Sequence, residues 1–280
     1  EDSVWRSQTI NIAGSTTVLP IAETAAGEFM QEHSGVTITV QGGGSGQGYS
    51  QIISGVIDIG DASRPPKDQE ISNAAEQGKE LWIHPIALDA VCVVVNPSVL
   101  EGTGLDSLEL TLEEVGKIYT GEYTNWNQLK SSLPGEEIYV VVRESGSGTR
   151  GTFEEYTMDD FGLTVDSGVV HEEPGNPAVR TTVEGTDYSI GYVGFGFLSD
   201  NMVAVDLAIE EGEEYVHPSL ESIGGGQYPI SRLLYFVTSE PTPESGSLAD
   251  RFIDFVLSEE GQDIVESEDY LRLPAKHNYP

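Results

Sequence analysis

Apolar and polar positions along this chain alternate with two periods in turn. SQTINIA and VTITVQ have the period of two of a half-buried strand, and VIDIG is a short apolar run of the same kind. LPIAETAAGEFMQEH, which follows the first of these, repeats its apolar positions at helical spacing, with Pro20 near its start. The second run leads through GGGSGQG into the helix SQIISG, and the third through DASRPP into the helix KDQEISNAAEQG. A repeated strand–turn–helix unit predicts a mostly parallel sheet flanked by helices.

Two longer apolar stretches interrupt the rhythm. LWIHPIALDAVCVVVNP, Leu81 to Pro97, exceeds an ordinary strand, and ISRLLYFVTS is the second. Strands that run out of one domain and into the next have this appearance. The block between them holds the helix LEEVGKIYTG, the strand EEIYVVV, the Gly- and aromatic-rich SIGYVGFGFL and the strand MVAVDLAI. The chain ends with the helices SLADRFIDFVLS and EEGQDIVESE. The expectation is a discontinuous first domain, 1–88 plus 231–280, with a second domain, 89–230, inserted in it. A length of 280 residues suits two domains.

Charge changes the picture most. There are 47 acidic residues against 13 basic ones, a net charge of −34, which excludes nucleic acid and anionic membrane as partners. The acids are scattered among regular apolar segments, so the excess does not indicate disorder. It points to a protein of concentrated salt, where the Debye length shrinks to about 3 Å and dense carboxylates barely repel. The one cysteine, Cys92, lies in the apolar run AVCVVV and reads as a buried small hydrophobe; it permits no internal disulfide. No apolar run reaches the roughly 20 residues of a membrane span. EDSVWRS has no signal peptide, as in a mature or trimmed form.

Chemistry concentrates in four donor-rich turns. Gly14-Ser15-Thr16-Thr17, Gly42-Gly43-Gly44-Ser45-Gly46 and Asp61-Ala62-Ser63-Arg64 each follow a strand and precede a helix. RESGSGTRGTFEE, from Arg143, is a fourth, between EEIYVVV and a short helix, TFEEYTMDDF, with acids in its first turn. Such turns gather on the carboxyl edge of a parallel sheet, where free N–H groups and the positive helix end suit an anion. Each hydroxyl also reads as a helix N-cap, and Arg64 or Arg143 alone as a structural ion pair. Two of only eight arginines in four such turns favour a small tetrahedral oxyanion.

Rival chemistries have little support. Gly146-x-Gly148-x-x-Gly151 matches the dinucleotide pattern, but three residues separate it from its strand. Neither Ser45 nor Ser147 completes G-x-S-x-G, and the histidines, 33, 84, 171, 217 and 277, are at least 46 apart. No catalytic or metal-binding residue is assigned.

GSTTVLPIAETAAGEF, GGGSGQGY, DIGDASRP, RESGSGTRGTF, IGYVGFGFL and YPISRLLYFVT, in this order, resemble the PstS-type phosphate-binding proteins, the receptors of ABC phosphate importers. The likeness runs from about residue 9 to 272, with R-x-x-G-S-G-T its most specific motif. It implies a type II periplasmic-binding-protein fold: two α/β domains, two crossover strands, and a cleft that closes on the anion. By position it assigns Thr16 and Thr17 (the latter through its N–H), Ser45, Ser63, Arg64, Arg143, Ser147, Gly148 and Thr149 to the ligand. It implies a non-enzymatic, cofactor-free, monomeric protein outside the cytoplasmic membrane, at the cell surface or in a periplasm. A lipid anchor on a removed segment and a membrane permease as partner belong to the same picture. Two departures bear on selectivity. Many members carry Asp where Ser63 stands, to accept the proton of hydrogen phosphate and repel sulfate. Others carry Asp at the position of Ser145. Asp61 and Glu144 are the candidate replacements, and sulfate or another oxyanion is the alternative ligand; a phosphate-handling hydrolase is the rival from another class.

Overall fold

In β1 (Thr9–Gly14) the apolar residues Ile10 and Ile12 alternate inward, as the period of two requires. The computed structural model describes residues 8–239 and 246–273. EDSVWRS and His277 lie outside these. Helix α1 (Leu19–Glu32) buries Ile21, Ala22, Ala25, Ala26 and Phe29, one face at helical spacing, with Pro20 at its first turn. Then follow β2 (Thr37–Gly42), α2 (Ser45–Ser54), β3 (Ile59–Ala62), α3 (Asp68–Glu76) and the 14-residue β4 (Trp82–Val95). The middle of the chain supplies β5 (Glu109–Thr111), α4 (Leu112–Tyr119), β6 (Tyr139–Arg143), α5 (Gly148–Thr157), β7 (Val170–Glu173), α6 (Gly175–Gly185), β8 (Ser189–Gly194), β9 (Val203–Ala204), β10 (Asp206–Ala208) and α7 (Leu220–Gly224). The last elements are β11 (Ser231–Thr238), α8 (Leu248–Leu257) and α9 (Glu259–Ser267).

The chain divides into two compact units. The first takes the residues up to Leu88, Gly146–Gly148, and those from Leu233 on; the second is Asp89–Ser145 with Thr149–Arg232. The chain passes between them inside β4, on either side of Gly146–Gly148, and inside β11.

In the first unit β1 pairs in parallel with β2 and β3, and β3 pairs antiparallel with β11. Both faces are covered. Ile10, Ile12, Ile59 and Phe236 pack against α1, α8 and α9, with Phe29 edge-on to Phe252. On the other face Tyr49, Ile52 and Ile53 of α2 meet Ala62, Tyr235 and Val237. In the second unit β8 and β7 flank β6 in parallel, while β4 pairs antiparallel with β8 and β9. Val179 and Val183 of α6 pack on Val94, Val141 and Val193. Elsewhere in this unit an aromatic stack joins Tyr119, Phe153 and Tyr192, the last two rings parallel at 3.9 Å. Parallel pairs predominate, as the strand–turn–helix repeat predicts; β4 adds antiparallel pairs with β8 and β9, and β11 one with β3.

Three local features differ from the sequence reading. Helix α2 begins at Ser45, inside the Gly-rich stretch, because Gly48 lets it lie against the strands: a Cβ there would stand 2.7 Å from Asp61 O. Helix α5 begins at Gly148, so its first turn has no acid and the glutamates fall one turn later. MVAVDLAI breaks into β9 and β10. Cys92 is fully buried, as expected. Among the described residues no helix is long and apolar enough to cross a membrane.

Candidate functional site

Two donor turns of the first unit meet at their hydroxyls. Ser45 opens α2 after Gly44, whose φ of 91° is the left-handed region that favours glycine. Its Oγ accepts from Ser63 N–H at 3.0 Å and lies 3.3 Å from Ser63 Oγ. Both serines are buried, at 0% and 1% exposure. Gly148 completes the group: a Cβ on it would collide with the Oγ atoms of both Ser45 and Ser63. Its glycine is therefore a steric requirement. Gly46 N–H donates to Gly146 O at 3.0 Å, which fixes the Gly146–Gly148 excursion on this unit. Ser147 is buried beside it. Thus Ser45, Ser63 and the Ser147-Gly148 peptide converge, from turns about 20 and 85 residues apart in sequence.

The first turn of α1 has a different accounting. Ser15 N–H donates to Asp61 O at 2.9 Å, and Leu19 N–H to Ser15 O at 3.1 Å. Thr17 is fully buried; its N–H donates to Ser15 Oγ at 3.2 Å and its carbonyl accepts from Tyr270 OH at 2.8 Å. The expected N–H of Thr17 is thus engaged by the turn itself. Thr16 is half-buried, its methyl group 3.1 Å from where a Cβ on Gly42 would stand.

Arg64 uses its terminal nitrogens within its own turn and on α3, while its buried Nε has no hydrogen-bond partner. Its Nη1 and Nη2 each donate to a Glu70 carboxylate oxygen at 2.8 Å, and Nη1 also reaches Pro65 O. The guanidinium lies 5.1 Å from the Tyr49 ring, and Tyr49 OH bonds Arg64 O. This is the structural ion pair that an arginine in such a turn can always form. The same Glu70 caps α3 by accepting from Lys67 N–H at 2.8 Å.

Asp61 is a second buried group with unpartnered polar atoms in the first unit. It is fully buried at the end of β3, and neither carboxylate oxygen has a hydrogen-bond partner. Burial drives its pKa well above the ordinary carboxylate range, so its neutral form is favoured.

The second unit carries Arg143 and Thr149. Arg143 is 1% exposed, at the end of β6. Its Nε and Nη2 donate to Glu144 at 2.8 and 2.9 Å, and its Nη1 to Asn176 Oδ1 at 2.9 Å. Its own N–H donates to Tyr192 OH, and its carbonyl accepts from Arg150. Burial pushes the Glu144 pKa up, but hydrogen bonds and charge from Arg143 and the Gly175 N–H outweigh it, so the carboxyl is held below its usual value. The ionised form is thus favoured at Glu144 and the neutral form at Asp61. Thr149 is 1% exposed, and its Oγ1 accepts from Arg232 Nη2 at 3.2 Å. Arg232 in turn is paired with Asp89.

Sequence reasoning passed over Asn176, Asp89 and Arg232. Arg232 does lie in YPISRLLYFVT, inside an apolar run with no turn to mark it. Asn176 is the second residue of α6, after Gly175 at φ 79°, and only the dipeptide Asn-Pro signals it.

Residues 5–260 match the PBP superfamily domain. The chain is similar to the phosphate-binding protein PstS of Bacillus subtilis strain 168, 32% identical over 95% of this chain and 81% of the relative. It is similar to that of Staphylococcus aureus strain USA300, 30% identical over 94% and 78%. A solved Clostridium perfringens protein, assigned as a phosphate ABC transporter substrate-binding protein and containing bound phosphate, superposes with a TM-score of 0.80 at 32% identity, over 95% of this chain and all of that one. An ABC-type phosphate transport receptor from Vibrio cholerae superposes at 0.72, with 27% identity and 95% and 100% coverage. These relatives are named for binding and transport, not for catalysis.

Proposed function

Because the chain belongs to the PBP superfamily, and within it to the PstS phosphate-binding proteins, we propose that it captures inorganic phosphate and delivers it to an ABC importer. One observation carries the reading: Ser45 Oγ and Ser63 Oγ, 3.3 Å apart, face Gly148, where a Cβ would displace both hydroxyls. Small buried hydroxyls and a helix N-terminus at one point suit a compact tetrahedral anion. Thr16, Thr17, Ser45, Ser63, Ser147 and Gly148 form its ligand shell in the first unit. Arg143 and Thr149 continue that shell along the same turn. Arg64 serves the shell indirectly, by holding the Ser63 turn against Glu70.

The protein is a monomeric, non-enzymatic receptor that works outside the cytoplasmic membrane in concentrated salt, with a membrane permease as its partner. The 47 acids against 13 bases support the salt habitat. Glu144 is the better candidate acceptor for the ligand's proton, since Arg143 favours its ionised form while burial favours the neutral form of Asp61. Calorimetric titration of ligand-stripped protein with phosphate, then sulfate, in concentrated KCl tests the reading. One-to-one phosphate binding with no sulfate heat supports it. Equal affinity for the two anions keeps the site and changes the ligand. Release of phosphate from a chromogenic ester would restore the hydrolase alternative.

A further inference from the structure

Arg232 and Asp89 form a buried ion pair that the phosphate reading leaves without a task. The side chains are 5% and 0% exposed. Arg232 Nε and Nη2 both donate to Asp89 Oδ2, at 2.9 and 2.7 Å. The other oxygen, Oδ1, accepts from Phe195 N–H at 2.9 Å. Buried ion pairs are rarely worth their desolvation as stabilisers, so their retention asks for another reason.

Position supplies one. Asp89 is the first residue of the second unit, Arg232 its last, and Thr149 the residue at which the chain re-enters it. The three are joined directly: Arg232 Nη2, held by Asp89, also donates to Thr149 Oγ1 at 3.2 Å. A guanidinium has donors only, so Thr149 Oγ1 is an acceptor in this bond. That rules out Arg232 as the acceptor of the hydroxyl proton, because a lone pair faces Arg232 and the O–H points elsewhere. A hydroxyl used as an acceptor on one side is a donor on the other, which is the polarity an anion requires. Asp89 neutralises the arginine and fixes the plane of its fork, so the bond to Thr149 is pre-oriented.

We propose that Arg232, clamped by Asp89, is a positioning residue that sets the Thr149 hydroxyl as a donor to the bound oxyanion. The inference rests on the reading of the site as a phosphate site. It adds a residue from a strand 83 positions away in sequence. It also gives the Asp89–Arg232 pair an orienting role.

The test is a double-mutant cycle on inorganic phosphate affinity, measured by calorimetry in concentrated KCl, with unfolding of the stripped protein followed separately. The variants are Thr149→Val, Asp89→Asn/Arg232→Gln, and the two combined. Replacing both charged partners together avoids an unpaired buried charge, so this variant keeps a foldable core. Thr149→Val removes the hydroxyl at nearly constant shape and is the second, independent handle. Each alone is expected to weaken phosphate binding about tenfold, the loss of one charge-assisted hydrogen bond. Combined, they are expected to weaken it by little more than either, because both act through one hydroxyl. Losses that multiply to about a hundredfold would overturn the proposal, as would full affinity in the Asp89→Asn/Arg232→Gln protein. A wild-type protein that binds no phosphate would instead defeat the functional reading on which the inference stands.

Discussion

Asp61→Asn is the perturbation that reads the buried carboxyl most cleanly. Asp61 is fully buried with both oxygens unpartnered, so an ionised form would have neither water nor a donor to stabilise it. In the unfolded chain the same carboxyl titrates near its ordinary pKa of about 3.9. Burial raises the folded value well above that. The sign follows from linkage. Below the unfolded pKa both states hold the proton and pH has no effect. Above it the unfolded chain releases a proton that the folded one keeps, so stability falls as pH rises, until the folded pKa is reached. Between the two pKa values the slope approaches one proton, about 1.4 kcal/mol per pH unit. Each such unit is a sizeable share of an ordinary domain's 5–15 kcal/mol or so. The carboxamide that Asp61→Asn installs is nearly isosteric with the carboxyl and does not titrate. Denaturant unfolding of both stripped proteins at constant molar KCl, at half-unit steps from pH 3.5 to 7, gives the difference directly, and the other carboxylates cancel. The variant is expected to gain on the wild type by this slope as pH rises above about 4. A difference that stays flat over this range would mean Asp61 ionises in the native state at its usual pKa, and the reasoning would fail.

Three further outcomes follow from the geometry. Gly148→Ala forces a methyl group onto Ser45 and Ser63; phosphate affinity by calorimetry is expected to fall about tenfold to a hundredfold, the cost of overpacking a tight site. Glu70→Ala strips Arg64 of its bidentate partner and α3 of a cap; a loss of about 3 kcal/mol in denaturant unfolding is expected, as for breaking a buried pair. Raising KCl from low to molar concentration is expected to hold or increase phosphate affinity while the protein remains folded. Short-range donors bind the anion, and salt screens the −34 net charge that opposes it; a steep loss would mean that long-range attraction drives binding.

What could be read from the sequence is what local rules control. The periods of TINIAG and of LPIAETAAGEF are set by which faces are buried, and β1 and α1 form where those periods place them. The long run through Cys92 is one strand, wholly buried over its last half. The donor turns were legible because hydroxyls, glycines and scarce arginines stand out in a chain stripped of cations. What escaped were facts of partnership. Arg64 and Arg143 look alike in sequence, each in a donor turn. One is committed to Glu70, six residues on, while the other is held by its neighbour Glu144 and by Asn176, 33 residues away. The Asp89–Arg232 pair spans 143 residues, and no local pattern marks it. Helix α2 starts early because Gly48 permits a close approach to Asp61, a tertiary reason that propensity opposes.

The measurement that bears most directly on the central claim is the stoichiometry and affinity of phosphate for the stripped protein in concentrated KCl, beside a Ser45→Ala/Ser63→Ala variant of verified fold. The account predicts one phosphate per chain in the wild type and a loss of at least about a hundredfold in the variant, two hydrogen bonds to a charged ligand. Undiminished binding by the variant, or none by the wild type, would contradict it.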